Sequence, residues 1–528
     1  MTRGPRLLRA FLVVLVLAAA CSDDGGPDGG RAGRPIDGGT VRLGLPGPIQ
    51  VDPALASVAS PSDLMVLDLL HDGLTRTNAD GEVVGELATR WAQDGTFRTW
   101  TFFLDPEASF SSGRGVSAGD VVASLEHVAA GGDASIAALQ LEVVTGFRAF
   151  LDGTAPHIAG LRATDLLTVE ITLDAPLSAL PALLASPSYG IIDLASAAAP
   201  AATDALADLD LSGSWQVTAA RPDVLTFSRR GGTPGLLDAV ELRPYANSAQ
   251  AYAAFRDGDV DWAPVPGDEF GAAVEAYGDD AFAPFHAELL LGLRVTGAGL
   301  SRPELRQAVA AAIDVDAIVR AVYPDLAEPL HSIVPAGVPG HRGQPCTTCR
   351  HDPRRARALL AATFPDGQVP AVAIDVEQTP AQDALAAIVA DSLEDVGIPT
   401  SVRSRPLEEH ERFVVTGAQE LFTFGWIGGY RSPDAYLAPL FGSASPENLT
   451  GFRDTEVDTL LAQADAVVAE PGPSGPWAAV EERVLQGAVV IPIAQFRTQV
   501  VVSPRVTGFA HAVDATVDWA AVGVTAGP

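Results

Sequence analysis

Lysine is absent from all 528 residues, and every one of the 34 basic side chains is arginine. A P-loop lysine, a pyridoxal phosphate Schiff base and a Ser-Lys dyad are therefore excluded. Codon bias in a chain rich in Ala, Gly, Pro and Arg explains the gap more simply than a selective use of guanidinium. Cysteine is scarce, with three in the chain. Nine histidines are scattered without a His-Glu-x-x-His or other paired ligand spacing, and the one Gly-x-Ser-x-Gly string, Gly115-Val116-Ser117-Ala118-Gly119, has a serine that reads as a helix cap rather than a nucleophile. No metal, cofactor or catalytic constellation is expected, and the chain does not read as an enzyme. Positive charge is also in deficit: the formal net charge is −32. Such a surface repels nucleic acid and anionic lipid, so no nucleic-acid partner is expected. Asp208-Leu209-Asp210-Leu211-Ser212-Gly213 mimics the start of a calcium loop, but its twelfth position is Ala219 rather than Glu. Asp257, Asp259 and Asp261 read as a solvated acidic turn.

Long apolar runs are lacking as well, apart from Phe11 to Ala20. That run follows Arg3, Arg6 and Arg9, and it is far below the ~20 residues needed to span a bilayer. A basic flank, a short apolar core and small residues make a secretory signal over 1–20. Leu17-Ala18-Ala19-Ala20-Cys21 resembles a bacterial lipobox, which implies a lipidated Cys21 as first mature residue and an anchor on the outer face of the cell membrane. An ordinary secretory signal with an unmodified cysteine is the other reading. Cleavage there leaves 31 basic and 66 acidic side chains, net −35. The following Gly, Asp and Pro-rich stretch reads as a flexible tether, 21–37 in the domain division, spanning roughly 20–25 Å as a coil. Cys346 and Cys349 form Cys-Thr-Thr-Cys in a loop. A local disulfide leads in an oxidising compartment, and a zinc site with His341 and His351 remains open.

The body reads as mixed α/β. An alternating strand starts at Val41 to Leu45. Ser60, Ser117, Ser301 and Thr379 each stand before a helical pattern as caps. The helix opened by Thr379 and stopped at Gly397 lies between strands Val369 to Val376 and Thr400 to Arg403, a βαβ unit with a parallel pair. Leu167 to Leu173 and Val224 to Ser228 read as further strands.

From Asp52 onward a collinear set of short motifs carries a resemblance. Val51-Asp52-Pro53-Ala54, His71-Asp72-Gly73-Leu74, Glu86-Leu87-Ala88-Thr89-Arg90-Trp91 and Val116-Ser117-Ala118-Gly119-Asp120-Val121 come first. Gly258-Asp259-Val260-Asp261, Leu305-Arg306-Gln307-Ala308-Val309 to Asp314, Asp352-Pro353-Arg354-Arg355-Ala356, Gly425-Trp426, Pro433, Asp454 to Asp458 and Ile491-Pro492-Ile493 follow. Together, over roughly 40–520, they resemble the peptide/nickel-type (family 5) solute-binding lipoproteins of bacterial ABC importers. The resemblance implies a two-lobed periplasmic-binding-protein-like fold of the large class, with a hinge between lobes. Lobe I would hold 38–281, including a subdomain at about 55–190, and 490–528; lobe II would hold 282–489. The hinge crossings would fall near Phe282 to Val295 and Val489 to Ile493. The implied function is capture of a small solute, an oligopeptide or similar, by a monomer that delivers it to an ABC permease. A sensor or scaffold that keeps the fold without transport is the alternative.

In peptide-binding relatives a Trp-x-x-Asp-Tyr-x-Asp-Pro stretch lines the cleft, and its first aspartate pairs with the peptide amine. This chain reads Trp426-Ile427-Gly428-Gly429-Tyr430-Arg431-Ser432-Pro433. Gly429 and Ser432 stand where the two aspartates would be, so the usual amine recognition is not available. Trp426 and Tyr430 keep large rings with polar tips, suited to a cleft wall. Gly425, Ile427 and Phe424 are further ligand candidates, and a core role for both aromatics is the competing reading. The loop Pro46 to Pro53 is expected to approach the ligand from lobe I. Arg306, Asp314 and Trp91 match the family but read as structural.

Overall fold

The computed structural model describes residues 35–525 other than 50, 57–59, 79–80, 133–134, 198–208, 233–234, 298, 346–349, 468–474 and 510–515. The signal, Cys21, the tether up to residue 34, Asp208, Cys346 and Cys349 lie outside the described residues.

Two six-stranded sheets organise the chain. The first has the order Val500–Val502, Trp262–Pro264, Thr40–Pro46, Ala239–Tyr245, Val224–Arg229, Trp215–Arg221. Thr40–Pro46 runs parallel to Ala239–Tyr245 in unbroken register. Its alternation puts Val41 and Leu43 into a core with Phe227, Leu242 and Trp262. The second has the order Ala327–Pro329, Val490–Arg497, Pro284–Leu293, Leu421–Ile427, Val372–Glu377, Thr400–Arg405.

The βαβ unit forms as read. Helix Pro380–Val396 starts at Thr379, whose hydroxyl accepts from the Gln382 N–H, and ends at Gly397 with φ of 98°. The flanking strands pair in parallel from Val372 with Thr400 to Glu377 with Arg405. Ser60 and Ser117 also cap their helices, and Ser117 and Asp120 close a capping box. Ser301 does not. The helix is Pro303–Ala312, and its N-cap is Arg302, whose side chain makes no capping hydrogen bond.

A third unit is an antiparallel four-stranded sheet of Ala88–Gln93, Thr99–Leu104, Thr168–Thr172 and Leu161–Asp165, backed by helix Ala118–Ala129. Its apolar face, with Phe102, Val121 and Ile171, belongs to one continuous core with helices Asp434–Phe441, Thr455–Asp465 and Pro476–Gln486 of the second sheet's side. The subdomain inserted into the first half of the chain thus packs against the second half.

The chain passes from the second sheet back to the first between Arg497 and Val500. Val490–Arg497 pairs along its length with Pro284–Leu293 and Ala327–Pro329. The next strand, Val500–Val502, is in the first sheet. A strand that opens on an apolar run, as Val490–Arg497 does, is legible as buried, but its sheet is not. The two crossings lie side by side. The Arg497 guanidinium donates to the Phe282 carbonyl at 3.0 Å, and the Thr498 N–H donates to the Ala283 carbonyl at 2.8 Å.

The acidic turn at 257–261 is not fully solvated. Asp261 is 1% exposed. Its carboxylate accepts from the Arg42 N–H, both arms of the Arg42 guanidinium and the Arg505 guanidinium. Two arginines distant in sequence neutralise it, which no local pattern reveals. Asp210, in the calcium-loop mimic, instead accepts from Ser111 and from the Ser112 N–H and hydroxyl. Arg306 is buried, with its guanidinium donating to the Leu300 and Gly487 carbonyls, and Asp314 caps helix Val315–Val322. Trp91 packs on the four-stranded core. Among the described residues no helix is long and apolar enough to cross a membrane.

Candidate functional site

Leu421–Ile427 is a central strand of the second sheet, flanked by Pro284–Leu293 and Val372–Glu377. At its end the chain leaves the sheet through Gly428 and Gly429 and enters helix Asp434–Phe441. Both glycines are demanded by close approach. An ideal Cβ on Gly428 would overlap the Tyr436 ring and hydroxyl, and one on Gly429 would overlap the Gln140 carboxamide, whose carbon would be 2.6 Å away. Gln140 ends helix Ile136–Gln140 of the subdomain, so the turn and the subdomain touch at this point.

Beside this contact is a cavity of about 780 Å³. Gly425, Trp426 and Ile427 line one wall and Tyr430 lies on it too. The subdomain supplies the opposite wall, including Leu139, Gln140 and Leu177. Four of the sequence candidates therefore meet in one place. Phe424 does not join them. It sits earlier on the strand, its ring 5.4 Å from that of Phe422, and packs on the core. The loop after Thr40–Pro46 does not line the cavity either. His71 holds its Val51 carbonyl at 3.1 Å and His127 holds its Asp52 carboxylate at 2.8 Å.

Polar groups in the wall are few and mostly acidic. The indole N–H of half-buried Trp426 donates to the Ala435 carbonyl at 2.8 Å, which fixes the ring. Tyr430 is buried, and its hydroxyl donates to the Asp434 carboxylate. Burial and the nearby Asp434 charge push the Tyr430 hydroxyl well up. Asp434 and Asp465 are near neighbours in the wall, and each disfavours a second negative charge beside it. Burial raises Asp434, and burial with the Asp434 charge pushes Asp465 up to about 9. Glu288, opposite Trp426 on the neighbouring strand, is 1% exposed and held well above the usual carboxylate range by burial and by Glu481. Glu142 and Glu447 complete the charged lining, engaged with Arg148 and Ser445. The cavity wall contains no Arg or His among the described residues, and no group of three or more His, Cys, Asp or Glu residues is placed to hold a metal.

Sequence reading missed Glu288, Asp465 and Gln140. Glu288 left a signal: it is the one acidic residue of the largely apolar strand Pro284–Leu293. Asp465 and Gln140 left none, because a helix end in a chain this acidic says nothing about what it faces.

The family model of bacterial extracellular solute-binding proteins, family 5 (Middle), matches residues 82–448. The chain belongs to this family. Among curated proteins, the periplasmic murein peptide-binding protein MppA of Escherichia coli (strain K12) is 23% identical over 478 residues, 88% of either chain. The glutathione-binding protein GsiB of the same strain is 26% identical over 377 residues, covering 67% of this chain and 72% of that protein. Among solved structures, the unliganded open form of MppA superposes with a TM-score of 0.82 at 20% identity, over 94% of this chain and 99% of that one. The family resemblance read from the sequence and the two-lobed α/β fold are borne out. The family comprises extracellular solute-binding proteins and is not an enzyme family, which also bears out the extracytoplasmic location and the solute-binding role.

Proposed function

We propose that this family 5 protein encloses a small solute, an oligopeptide or similar, between its lobes and delivers it to an ABC permease without catalysing a reaction. The cavity that brings Gly425, Trp426, Ile427 and Tyr430 together against the subdomain is the observation that carries this reading. Murein peptide and glutathione, named for the two relatives, are both peptides, which supports peptide cargo. Lipid on Cys21 after removal of 1–20 would moor a monomer by the tether 21–37, free to swing to its membrane partner. The sequence-based lobes, 38–281 with 490–528 and 282–489, serve as the closing halves, with the return strand shared at the hinge. A Cys346–Cys349 disulfide would stiffen its loop and add little to the fold. Closure requires that the solute bind the closed form better than the open one. Mass spectrometry of solute released by denaturing the purified protein identifies the cargo. Small-angle scattering of the emptied protein should show compaction when that solute is added back; an unchanged radius of gyration across a peptide panel overturns the reading.

A further inference from the structure

Glu288 is a buried carboxylate that nothing around it satisfies. Neither of its oxygens has a hydrogen-bond partner among the described residues. None of the donors near it bonds to it. Gln495, its opposite residue on Val490–Arg497, donates to the Phe285 and Ala336 carbonyls and accepts from the Ala336 N–H. The Trp426 indole is fixed on Ala435. Ser332 and Arg342 serve Glu481, whose carboxylate also accepts from the Ile333 and Val334 N–H groups. The His286 ring lies against Phe285, with centroids 4.2 Å apart. What remains beside Glu288 is the 780 Å³ cavity, whose wall it joins. An isolated buried carboxylate is costly unless it is neutralised or paired. Among the described residues no Arg or His lines the same wall, and the carboxyls of Asp434 and Asp465 stand on it as well.

We propose that this cavity takes the cationic group of an organic solute, an ammonium or a guanidinium, with Glu288 as its counter-ion and the apolar wall around Trp426 and Leu177 holding the solute's uncharged body. The proposal deepens the receptor reading and rests on it. It also assigns charge recognition to a strand position separate from Gly429. The cation can be a terminal amine or a basic side chain; both present the same chemistry to Glu288.

The test is calorimetric titration of the full-length, emptied protein with Ala-Lys-Ala, Ala-Gln-Ala and Ala-Glu-Ala, each free and N-acetylated, and with agmatine as a non-peptide cation. A cationic probe should bind at least tenfold more tightly than its neutral counterpart, and the acidic peptide worst. Glu288→Gln should abolish that preference and leave the neutral peptide within threefold of wild type. The same variant should melt no lower than wild type, because it removes a buried carboxyl that no protein donor satisfies, so lost binding will not reflect lost folding. Asp434→Asn provides a second variant and should weaken the cationic probes by a smaller factor. The acetylated arm separates the two sources: loss on acetylation of Ala-Gln-Ala points to the terminal amine, and retention by acetylated Ala-Lys-Ala to the side chain. Binding of agmatine but of no peptide would overturn peptide cargo and support the cation site. Equal affinity for Lys and Gln peptides, an unaffected Glu288→Gln, or no binding of any cationic probe overturns the proposal.

Discussion

Gly429 and Gln140 occupy one space: a Cβ on the glycine would stand 2.6 Å from the Gln140 carboxamide carbon. The glutamine is held where it is, with its Oε1 2.9 Å from the buried Tyr189 hydroxyl. The resemblance places an aspartate at position 429 in peptide-binding relatives. In this chain the position serves contact between the turn after Ile427 and the subdomain. The departure from the family motif is thus a packing feature with a physical partner.

Gly429→Ala should therefore destabilise the protein by about 1–2 kcal/mol, the scale of one buried hydrogen bond disrupted as Gln140 yields. Gln140→Ala should absorb most of that cost. In urea unfolding of the four-member cycle, the coupling between the two sites should exceed ~0.5 kcal/mol, the scale for residues in contact. Additive effects would show that the contact does not bear on stability.

Trp426 presents a ring fixed by the Ala435 carbonyl to the cavity. Trp426→Ala should weaken binding of the co-purified solute by roughly tenfold to a hundredfold, as expected for an aromatic anchor worth about 2 kcal/mol. Trp426→Phe keeps the apolar face and should lose less. Unchanged affinity in both variants would return Trp426 to a purely structural role.

How much of this was legible is decided by periodicity and locality. The βαβ unit from Val372 to Arg405 could be read because its cap, stop and strand alternation are all local. The cluster Gly425, Trp426, Ile427 and Tyr430 could be read because a motif carried it within six residues. Its opposite wall could not, since Gln140 and Leu177 come from a different part of the chain and from ordinary helix and loop composition. Asp261 shows the same limit. It looked like one of three equivalent acids in a turn, and only tertiary structure brings Arg42 and Arg505 to it. Nor does the run Val490–Arg497 state which sheet it enters.

The Asp261 cluster joins three segments distant in sequence at the first sheet, since Arg42 is on Thr40–Pro46 and Arg505 follows Val500–Val502. Asp261→Ala leaves two part-buried guanidinium groups without their shared partner. The loss should be about 3 kcal/mol or more, the range for breaking one side of a buried ion pair. Asp261→Asn retains the shape and one acceptor and should lose less. The midpoint of chemical denaturation distinguishes them, and a loss below ~1 kcal/mol for Asp261→Ala would place the cluster with weak surface pairs.

Two histidines hold the loop at Val51 and Asp52 with opposite responses to pH. His127 is raised above its ordinary 6.5 by its hydrogen bond to Asp52, which outweighs its burial. Burial pushes Asp52 up, but the hydrogen bonds from His127 and the Ala54 N–H more than offset it and hold the carboxyl below its ordinary value. His71 is pushed down to about 4 by burial, against its bond to the Val51 carbonyl. The His127 contribution is fully present below pH 6.5 and is lost as pH rises through the raised folded value. That of His71 has the other sign: it is present above pH 6.5 and is lost as pH falls toward about 4. His127→Asn should therefore flatten the fall in stability between pH 6 and 9 by ~1 kcal/mol, the scale of a partly exposed pair. His71→Gln, which keeps a donor for Val51, should flatten the fall between pH 6.5 and 4.5 by about 2 kcal/mol on the conversion of a pKa shift to free energy. Denaturant titrations of the two variants and wild type across pH 4.5–9 check both signs. If the two substitutions altered the same limb of the profile, the assignment of one charged and one neutral imidazole around Asp52 would be wrong.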